Sequence, residues 1–392
     1  MDENVKILYM SRTSKLTGPE NILIDVIRKL DKKRFSPAVV LPDSKGPFFK
    51  KLKLNGIKVL VKRMPFLRVT YNPLLILWFL INIVILNINF SFVLKKRDID
   101  IVVCNSVQEA LLLFLPVKIL KKKLLICFKN ILDRRWKKKL RAGFCNIFAS
   151  GVVAVSDKAL EDYVLFADKN RAEGRIIETV YDGLDCGQFK KDFEKKDVIK
   201  KYRGSGDEIV ILNIGNLTEL KGQILLLEAL NSGRIKNLDV KVLLLGDVYH
   251  KSELPYKKRI KRYILENNLE GKVFMLGYTE DVRSYLKESD IIVHCPIRED
   301  AFPRVILEAF CFEKIVIATR IGGIPEMVKD GYNGFLCDVD AGKLADKISY
   351  VCSNIDRLDY IGSNALDMVR KKFSVKGQVV ELAGIYNKIL KI

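Results

Sequence analysis

The stretch that decides the fold is residues 209–222, which read IVILNIGNLTELKG. The apolar run Ile209–Ile214 predicts a buried β-strand, Gly215 begins a turn, and Lys221 with Gly222 opens a helix. A loop between a strand and the helix after it is where backbone N–H groups and the helix dipole can hold a diphosphate. It is not a Walker loop, because no Gly-Lys-Ser/Thr triplet follows at the required spacing.

Lys221 stands at the start of that helix, where the dipole is already positive. A cation there is unfavourable for a helix alone and favourable beside a phosphate. The residue therefore suits a phosphate-binding loop, and an ordinary solvated loop is the alternative that these residues leave open.

Short β-rich runs alternate with segments of helical period on both sides of this loop, which predicts an α/β protein with parallel sheets covered by helices. An early series of strands is predicted at Val5–Met10, Ala38–Leu41, Lys58–Val61, Ile101–Cys104, Leu124–Phe128 and Val152–Val155. A later series is predicted at Ile209–Ile214, Val240–Leu245, Val273–Leu276, Ile291–Val293 and Ile315–Ala318. Two series in a chain of 392 residues predict two Rossmann-like domains.

The polar, charge-rich stretch 190–206 separates the two series. We therefore expect an N-terminal domain at residues 1–189 and a C-terminal domain at residues 190–374. Apolar residues spaced for burial predict a last helix at 375–392, which could cross back to the first domain.

A second polar cluster follows the fourth strand of the later series. Asp300 lies at the carboxyl end of that strand, and Glu308 lies one to two turns into an apolar helix. A carboxylate on so apolar a helix usually has a specific partner, because an unpaired buried charge is costly. The structural alternatives are local capping by Asp300 ahead of Pro303 and an i,i+4 pair of Glu308 with Arg304.

A third signal is the glycine turn at residues 321–326, which reads IGGIPE and opens a helix at Pro325. A plain turn with an acid in the first helical turn is its alternative. Because the carboxyl ends of parallel strands meet at one edge of a sheet, we expect the three loops to converge on one crevice.

Together these motifs resemble those of the family-4 retaining glycosyltransferases, which have the GT-B fold. From about residue 180 to 350 the resemblance rests on Tyr181-Asp182-Gly183-Leu184-Asp185, Gly215-Asn216, Lys221-Gly222, Gly246-Asp247, Asp300 through Glu308, Gly322-Gly323-Ile324-Pro325-Glu326 and Gly331-Tyr332-Asn333-Gly334-Phe335. In the first half, Thr17-Gly18-Pro19-Glu20 is similar to the glycine loop of the family. The resemblance implies two domains facing each other across a cleft, the first binding the acceptor and the second the nucleotide sugar.

The resemblance also implies roles for single residues. Lys221 would neutralise the donor diphosphate, Glu308 would bind the ribose hydroxyls, and Asp300 would contact the donor sugar. Gly18 would close against the phosphates from the opposite domain. The other residues implied in donor binding are Gly215, Asn216, Gly222, Phe302, Pro303 and Arg304.

Two positions depart from the common pattern of the family. Asn216 stands where the family often has an arginine, and Asp300 replaces the first glutamate of the usual Glu-x7-Glu pair. Losing one cation weakens the stabilisation of the leaving diphosphate, and aspartate draws the carboxylate back by one methylene group. A catalytically silent nucleotide-sugar binding protein is therefore an alternative function.

The implied reaction is sugar transfer with retention, for which the protein supplies positioning and fixed positive charge. We expect no cofactor besides the donor, and a UDP-sugar is favoured over a GDP-sugar. Asp98-Ile99-Asp100 and Asp338-Val339-Asp340 spell DxD, but the first precedes a strand and the second follows an edge strand. We therefore predict no catalytic metal, and we interpret His294, at the end of an apolar strand, as a satisfied imidazole near the core.

The formal charge of +21 is unevenly distributed. Residues 1–190 carry about 35 basic and 18 acidic side chains, roughly +17, which leaves roughly +4 for the rest. The basic clusters 95–97, 121–123 and 134–141, with Trp136 among them, suit the anionic inner leaflet. We therefore expect a peripheral protein on the inner face of the cell membrane, with a lipid-linked or glycan acceptor from cell-surface polysaccharide synthesis.

Solvated surface charge is the alternative to membrane binding. A nucleic-acid-binding protein would explain the charge but not the glycine turns and carboxylates in the less basic half, so we expect no nucleic-acid partner. The acidic start of the chain has no signal-peptide pattern, and the eight cysteines are scattered without a CxxC pair. These features predict a cytoplasmic protein in a reducing compartment, with neither a zinc site nor a disulfide framework.

The segment Leu74–Leu94 is apolar enough to suggest a transmembrane helix. Asn82, Asn87 and Asn89 interrupt it, so we interpret it as a pair of long apolar Rossmann helices. A membrane span is the alternative.

Overall fold

A computed structural model describes residues 4–64, 72–168, 174–191, 193, 197–203, 208–235 and 238–392. The chain divides into two units, residues 1–182 with 375–392 and residues 183–374. The second unit starts at Gly183, before the expected boundary at residue 190. The reason is that the Leu184 N–H donates to the Phe373 carbonyl (2.8 Å), and Cys186 is bonded to Cys311.

The first unit is a parallel sheet covered by helices. Its strands are β1 Val5–Met10, β2 Phe35–Leu41, β3 Lys58–Val61, β4 Ile101–Cys104, β5 Lys123–Phe128, β6 Gly151–Ala154 and β7 Ile176–Thr179. Its helices are α1 Gly18–Lys29, α2 Pro47–Leu54, α3 Pro73–Lys96, α4 Val107–Ala110, α5 Phe114–Ile119, α6 Arg135–Phe148 and α7 Asp157–Val164. The strand order is β3-β2-β1-β4-β5-β6-β7, so the order reverses between β1 and β4. All six predicted strands are confirmed, and β7 is an additional edge strand.

The second unit repeats this architecture. Its helices are α8 Cys186–Lys190, α9 Gln223–Leu230, α10 Leu254–Glu266, α11 Arg283–Glu288, α12 Arg304–Cys311, α13 Ile324–Met327, α14 Ala341–Asn354 and α15 Asp359–Lys371. Its strands are β8 Ile209–Ile214, β9 Val240–Leu245, β10 Val273–Gly277, β11 Ile291–His294, β12 Ile315–Thr319 and β13 Phe335–Cys337. They lie in the order β10-β9-β8-β11-β12-β13, and all of the pairings are parallel. The predicted α/β fold with two parallel sheets is confirmed.

The last helix, α16 Val375–Leu390, belongs to the first unit, as predicted. Val379, Leu382, Ile385 and Ile389 are buried in the same core as β1 and α1. The Tyr386 hydroxyl lies 2.9 Å from that of Tyr9 on β1, which fixes the helix against the sheet.

The apolar segment 74–94 lies within α3, a single helix, so its interpretation as a helix pair is wrong. The asparagines do not break it, because Asn82 and Asn87 donate their side-chain N–H groups to the carbonyls of Trp78 (2.7 Å) and Ile83 (2.9 Å) one turn earlier. Of the helices that the structure describes, α3 is the one long and apolar enough to cross a membrane, and 17% of its most apolar window is buried.

A disulfide joins Cys186 to Cys311, so the expectation that no disulfide forms is wrong for this pair. The two residues lie 125 positions apart, and no local spacing indicates their pairing. The bond ties α8 to the last residue of α12. The other six cysteines are buried and free.

Candidate functional site

The second unit has its strand reversal between β8 and β11, with β9 on one side and β12 on the other. Parallel α/β sheets bind ligands in the crevice at such a reversal, outside the carboxyl ends of the strands. The loop after β8 carries Gly215 and Lys221, and the loop after β11 carries Asp300. The reversal therefore brings together two loops that the sequence separates by about eighty residues.

An ion pair joins these loops, with Lys221 Nζ 2.6 Å from Asp300 Oδ2. Lys221 ends the 3-10 turn Glu219–Lys221, and Gly222 follows with φ of 70°, the left-handed region that favours glycine. A Cβ atom at Gly222 would lie 2.0 Å from the Cys295 carbonyl oxygen, so the backbone of the β8 loop packs directly on the end of β11.

The glycine turn after β12 holds the backbone of Asp300. Gly323 donates its N–H to the Asp300 carbonyl (2.9 Å), and Gly322 has φ of 60° with its Cβ position 2.2 Å from that same oxygen. A side chain at Gly322 would displace Asp300. The prediction that three strand-end loops converge on one crevice is confirmed.

His294, the last residue of β11, lies next to the ion pair. Its side chain is 2% exposed, and its Nε2 lies 3.6 Å from Asp300 Oδ2, beyond hydrogen-bond range. The prediction of a near-core imidazole is confirmed, but the prediction that it is satisfied is wrong, since Nε2 has no hydrogen-bond partner among the described residues. Burial lowers the pKa of His294, the Asp300 carboxylate raises it, and the Lys221 charge lowers it, with a net lowering.

Asp300 is held in its ionised form. Burial raises its pKa, and the proximity of His294 and the charge of Lys221 lower it by more, so that the pKa lies well below the usual range for aspartate. The crevice therefore contains a fixed carboxylate in contact with a fixed cation.

Glu308 lies on α12, where its Oε1 accepts a hydrogen bond from Arg304 Nε at 2.9 Å. The two side chains are 16% and 14% exposed, so the i,i+4 pair considered from the sequence is formed in a largely buried place. Burial raises the pKa of Glu308, and the Arg304 charge offsets part of that rise. Arg304 thus supplies the partner that a carboxylate on this apolar helix requires.

Asn216, Phe302 and Pro303 of the predicted site lie on the same loops, whereas Gly18 lies in the first unit. Asn216 is exposed, and its carbonyl accepts a hydrogen bond from Gln223 Nε2 (3.1 Å). Phe302 is buried against Phe373, with ring centroids 5.4 Å apart, and Pro303 is buried at the N-cap of α12. Gly18 opens α1 in the first unit, so its role toward the donor stays a prediction.

Sequence reasoning missed a polar group at the strand reversal of the first unit. Arg12, after β1, donates to Gln108 Oε1 on α4 (2.7 Å). Glu109 beside it is buried, and its carboxylate accepts the Asn105 N–H (2.6 Å). Burial raises the pKa of Glu109 to about 7, against lowering contributions from Asn105 and Arg12. The sheet order brings these residues together, and no local motif marks them.

The two DxD segments have structural partners. Asp98 lies 3.3 Å from both Lys6 and Lys122, and Asp100 accepts the Lys6 N–H at 2.8 Å. Asp340 caps α14 by accepting the Lys343 N–H at 2.8 Å. Within the described ranges, no group of three His, Cys, Asp or Glu residues is placed to hold a metal ion. Metal independence stays a prediction, because only a measurement tests it.

The basic segment 134–141 does not form one cationic surface. Arg141 is buried and lies 3.2 Å from Asp162, and Lys138 lies 2.7 Å from the other oxygen of the same carboxylate. Arg134, Arg135 and Lys139 are exposed.

Two parallel α/β sheets with interleaved helices define a two-domain protein of the GT-B fold class. Residues 194–368 match the family model for glycosyl transferases group 1. The structure of HepE from Anabaena in complex with UDP and glucose is similar over 97% of this chain and 99% of that chain, with a TM-score of 0.80 and 23% identity. The structural neighbour shows the GT-B fold, and the family model matches a segment that lies within the second unit.

Two curated relatives are similar over parts of the chain. N-acetyl-alpha-D-glucosaminyl L-malate synthase of Bacillus anthracis is 29% identical over 217 residues, which cover 55% of this chain and 54% of the relative. The capsular polysaccharide biosynthesis glycosyltransferase CapM of Staphylococcus aureus is 25% identical over 254 residues, 64% of each chain. The chain thus spans roughly half to two thirds of the length of these relatives.

Proposed function

We propose that this protein is a family-4 retaining glycosyltransferase that moves a sugar from a nucleotide-diphosphate sugar to a glycan or lipid-linked acceptor. The observation that carries the proposal is the contact of Lys221 with Asp300 at the strand reversal of the second unit. A cation suits a diphosphate, and an ionised carboxylate suits sugar hydroxyls. A nucleotide sugar presents both groups within one molecule.

In the proposed reaction, the bond between the anomeric carbon and the diphosphate oxygen breaks while the acceptor oxygen bonds to the same face of the sugar. The acceptor proton goes to the leaving diphosphate. Lys221 and the helix N-termini stabilise the charge that develops on that diphosphate, and Asp300 positions the sugar. Glu308 on α12 binds the ribose hydroxyls, while Arg304 holds the Glu308 carboxylate through Oε1.

The relatives support the choice of donor and pathway. HepE was crystallised with UDP and glucose, so we favour a UDP-sugar over a GDP-sugar. One relative is named as an N-acetyl-alpha-D-glucosaminyl L-malate synthase and another as a glycosyltransferase of capsular polysaccharide biosynthesis. We therefore propose that the acceptor belongs to cell-surface polysaccharide synthesis.

Thermal-shift measurements with UDP, GDP and ADP test the nucleotide site, because a ligand that binds only the folded state raises the melting temperature. We expect the largest rise with UDP, and release of UDP from a UDP-sugar when acceptor is supplied. A rise without any transfer or donor hydrolysis would support the silent binding protein that Asn216 and Asp300 leave open. No rise with any of the three nucleotides contradicts both functions.

We further propose that the protein works at the cytoplasmic face of the cell membrane. The support is the net charge of roughly +17 on residues 1–190, together with the exposed Arg134, Arg135 and Lys139. Flotation with anionic liposomes at low and high salt tests this, with a triple serine variant of those three residues that preserves the Lys138–Asp162 ion pair. Equal flotation of the variant at low salt contradicts the role of these three basic residues, and no flotation of the wild type contradicts the membrane location.

The Cys186–Cys311 disulfide bears on the compartment, because disulfides are rare in the reducing cytoplasm. Cells lysed in an alkylating reagent preserve the state of each thiol for mass spectrometry. Alkylated Cys186 and Cys311 would support the cytoplasm, whereas an intact disulfide in all molecules would contradict it.

A further inference from the structure

The N-terminal half of α3 is an apolar surface exposed to solvent. Large side chains between 44% and 73% exposed run along the helix: Leu74, Leu75, Ile76, Leu77, Trp78, Leu80, Ile81, Val84, Ile85, Ile88 and Phe92. A surface helix of a globular protein normally turns such residues toward the core. This helix places them outward over several consecutive turns.

The exposed half is also apolar on every side. From Pro73 to Leu86 the one polar residue is Asn82, and its side-chain N–H is satisfied by the Trp78 carbonyl within the helix. A helix that lies flat on a protein surface has a polar face for water, and this one has none. Its chemistry therefore fits a non-aqueous environment on all sides.

The C-terminal half of α3 is fixed to the first unit. Leu86, Phe90 and Leu94 are buried. Asn87 forms hydrogen bonds with the backbone before and within α5. The Asn87 side-chain N–H donates to the Leu111 carbonyl (3.3 Å), and its oxygen accepts the Leu115 N–H (3.1 Å). The helix cannot slide along its axis without breaking these bonds.

This attachment limits how far α3 can enter a bilayer. At about 1.5 Å per residue, Pro73–Ile85 is roughly 20 Å long. That is shorter than the hydrocarbon core of ~30 Å, so the exposed half can enter one leaflet but cannot cross both.

Helix α5 packs on α3 and connects it to α6, which carries exposed aromatic and cationic side chains. Phe114 on α5 packs edge-on against Phe148 of α6, with ring centroids 4.7 Å apart. Trp136 and Leu140 of α6 are exposed, as is the neighbouring Lys139. An anionic lipid surface complements this charge. A second copy of the chain would bring the same net charge, roughly +17 over residues 1–190, against it.

We propose that Pro73–Ile85 inserts into the hydrocarbon layer of an anionic bilayer, while the basic residues of α6 lie at the lipid phosphates. The inference rests on the proposed membrane location and adds a hydrophobic, salt-resistant mode of binding to the salt-sensitive one. It also orients the first unit, because α3 is fixed to that unit by Asn87 and Phe90.

Tryptophan fluorescence measures the insertion directly, because Trp78 and Trp136 are the two tryptophans in the chain. Trp136→Phe leaves Trp78 as the reporter, and Trp78→Phe leaves Trp136. Vesicles of phosphatidylglycerol and phosphatidylcholine with brominated acyl chains should shift Trp78 emission to the blue and quench it at least ~2-fold more than Trp136, which lies at the headgroups. Trp78 emission that is neither shifted nor quenched while the protein floats overturns the insertion and leaves the membrane location standing.

A second variant separates hydrophobic from electrostatic binding. Changing Leu77, Trp78, Ile81 and Ile85 to glutamine keeps residues of fair helix propensity and removes four of the exposed apolar side chains. We expect wild-type flotation to persist at high salt and the variant to lose at least ~10-fold of it, with an unchanged UDP thermal shift. The matched control changes the exposed Leu254 and Leu265 of α10 to glutamine and should float like the wild type.

The other outcomes distinguish the proposals. If the wild type does not float at any salt concentration, the membrane location and the insertion both fail. If Trp78 emission is already shifted to the blue without lipid and sedimentation shows a dimer, a second copy of the chain covers α3, which overturns the insertion.

Discussion

Lys221 and Asp300 form a 2.6 Å ion pair that joins the loop after β8 to the loop after β11. Their side chains are 30% and 22% exposed, so a ligand in the crevice can reach both. A diphosphate that binds Lys221 must compete with Asp300 for the ammonium group. Donor binding should therefore weaken the contact of Asp300 with Lys221. The contact of Asp300 with His294, whose Nε2 lies 3.6 Å from Asp300 Oδ2, should then become the stronger of the two.

Lys221→Ala should abolish most transfer, because the developing charge on the diphosphate loses its nearest cation. We expect kcat/KM to fall at least ~100-fold, equivalent to about 2.7 kcal/mol of transition-state stabilisation. Steady-state kinetics on folded protein would measure this. The control is Arg203→Ala, which breaks the 2.8 Å pair of Arg203 with Asp290 at the amino ends of the same two strands. Near-wild-type turnover of Lys221→Ala, or an equal loss in the control, contradicts the assigned role.

Glu308→Gln should weaken donor binding while preserving the shape of the side chain. The neutral amide is a poorer acceptor for the ribose hydroxyls and for Arg304, so we expect KM for the donor to rise roughly 10- to 100-fold. Titration of UDP by calorimetry provides an independent affinity. Glu313→Gln is the matched control, since Glu313 is exposed and pairs with Lys190 at 3.4 Å. If both variants bind UDP like the wild type, Glu308 does not contact the nucleotide.

Transfer should survive EDTA, because the proposed leaving diphosphate is served by Lys221 and helix N-termini. Three of the four DxD carboxylates are engaged elsewhere, since Asp98 pairs with Lys6 and Lys122, Asp100 accepts the Lys6 N–H, and Asp340 caps α14. Activity would be measured after dialysis against EDTA and again after adding Mg²⁺ or Mn²⁺. A strict requirement for either ion would show that a metal takes the role proposed for Lys221.

The strands and the two-domain architecture could be predicted because each strand is a local apolar run between turn residues. Lys221 and Asp300 could be placed at strand ends for the same reason. The contact between Lys221 and Asp300 could not be predicted, because residues 79 positions apart meet only where β8 lies beside β11 in the sheet. No local pattern encodes that strand order. The Cys186–Cys311 bond was missed for that reason too. The exposure of α3 was not predicted, because composition indicates where a helix forms but not which parts of the protein pack against it.

His294 should make the free energy of unfolding depend on pH. Its pKa in the folded protein is lowered below the usual 6.5, with burial the main cause, so the unfolded chain takes up a proton more readily than the folded one. Just below pH 6.5 the unfolded state therefore binds more protons, and stability falls as the pH falls through that window. One proton contributes at most about 1.4 kcal/mol per pH unit.

Denaturation by urea between about pH 5 and pH 7.5 would measure this slope. His294→Gln should reduce it, because the glutamine does not titrate, whatever the variant does to the absolute stability. The chain has two histidines, and His250→Gln changes the other, which is exposed on a loop. That control should retain the wild-type slope. Equal slopes for His294→Gln and the wild type would show that His294 is protonated as readily in the folded protein as in the unfolded chain. The unsatisfied Nε2 beside Asp300 would then have to gain a hydrogen-bonding partner on protonation.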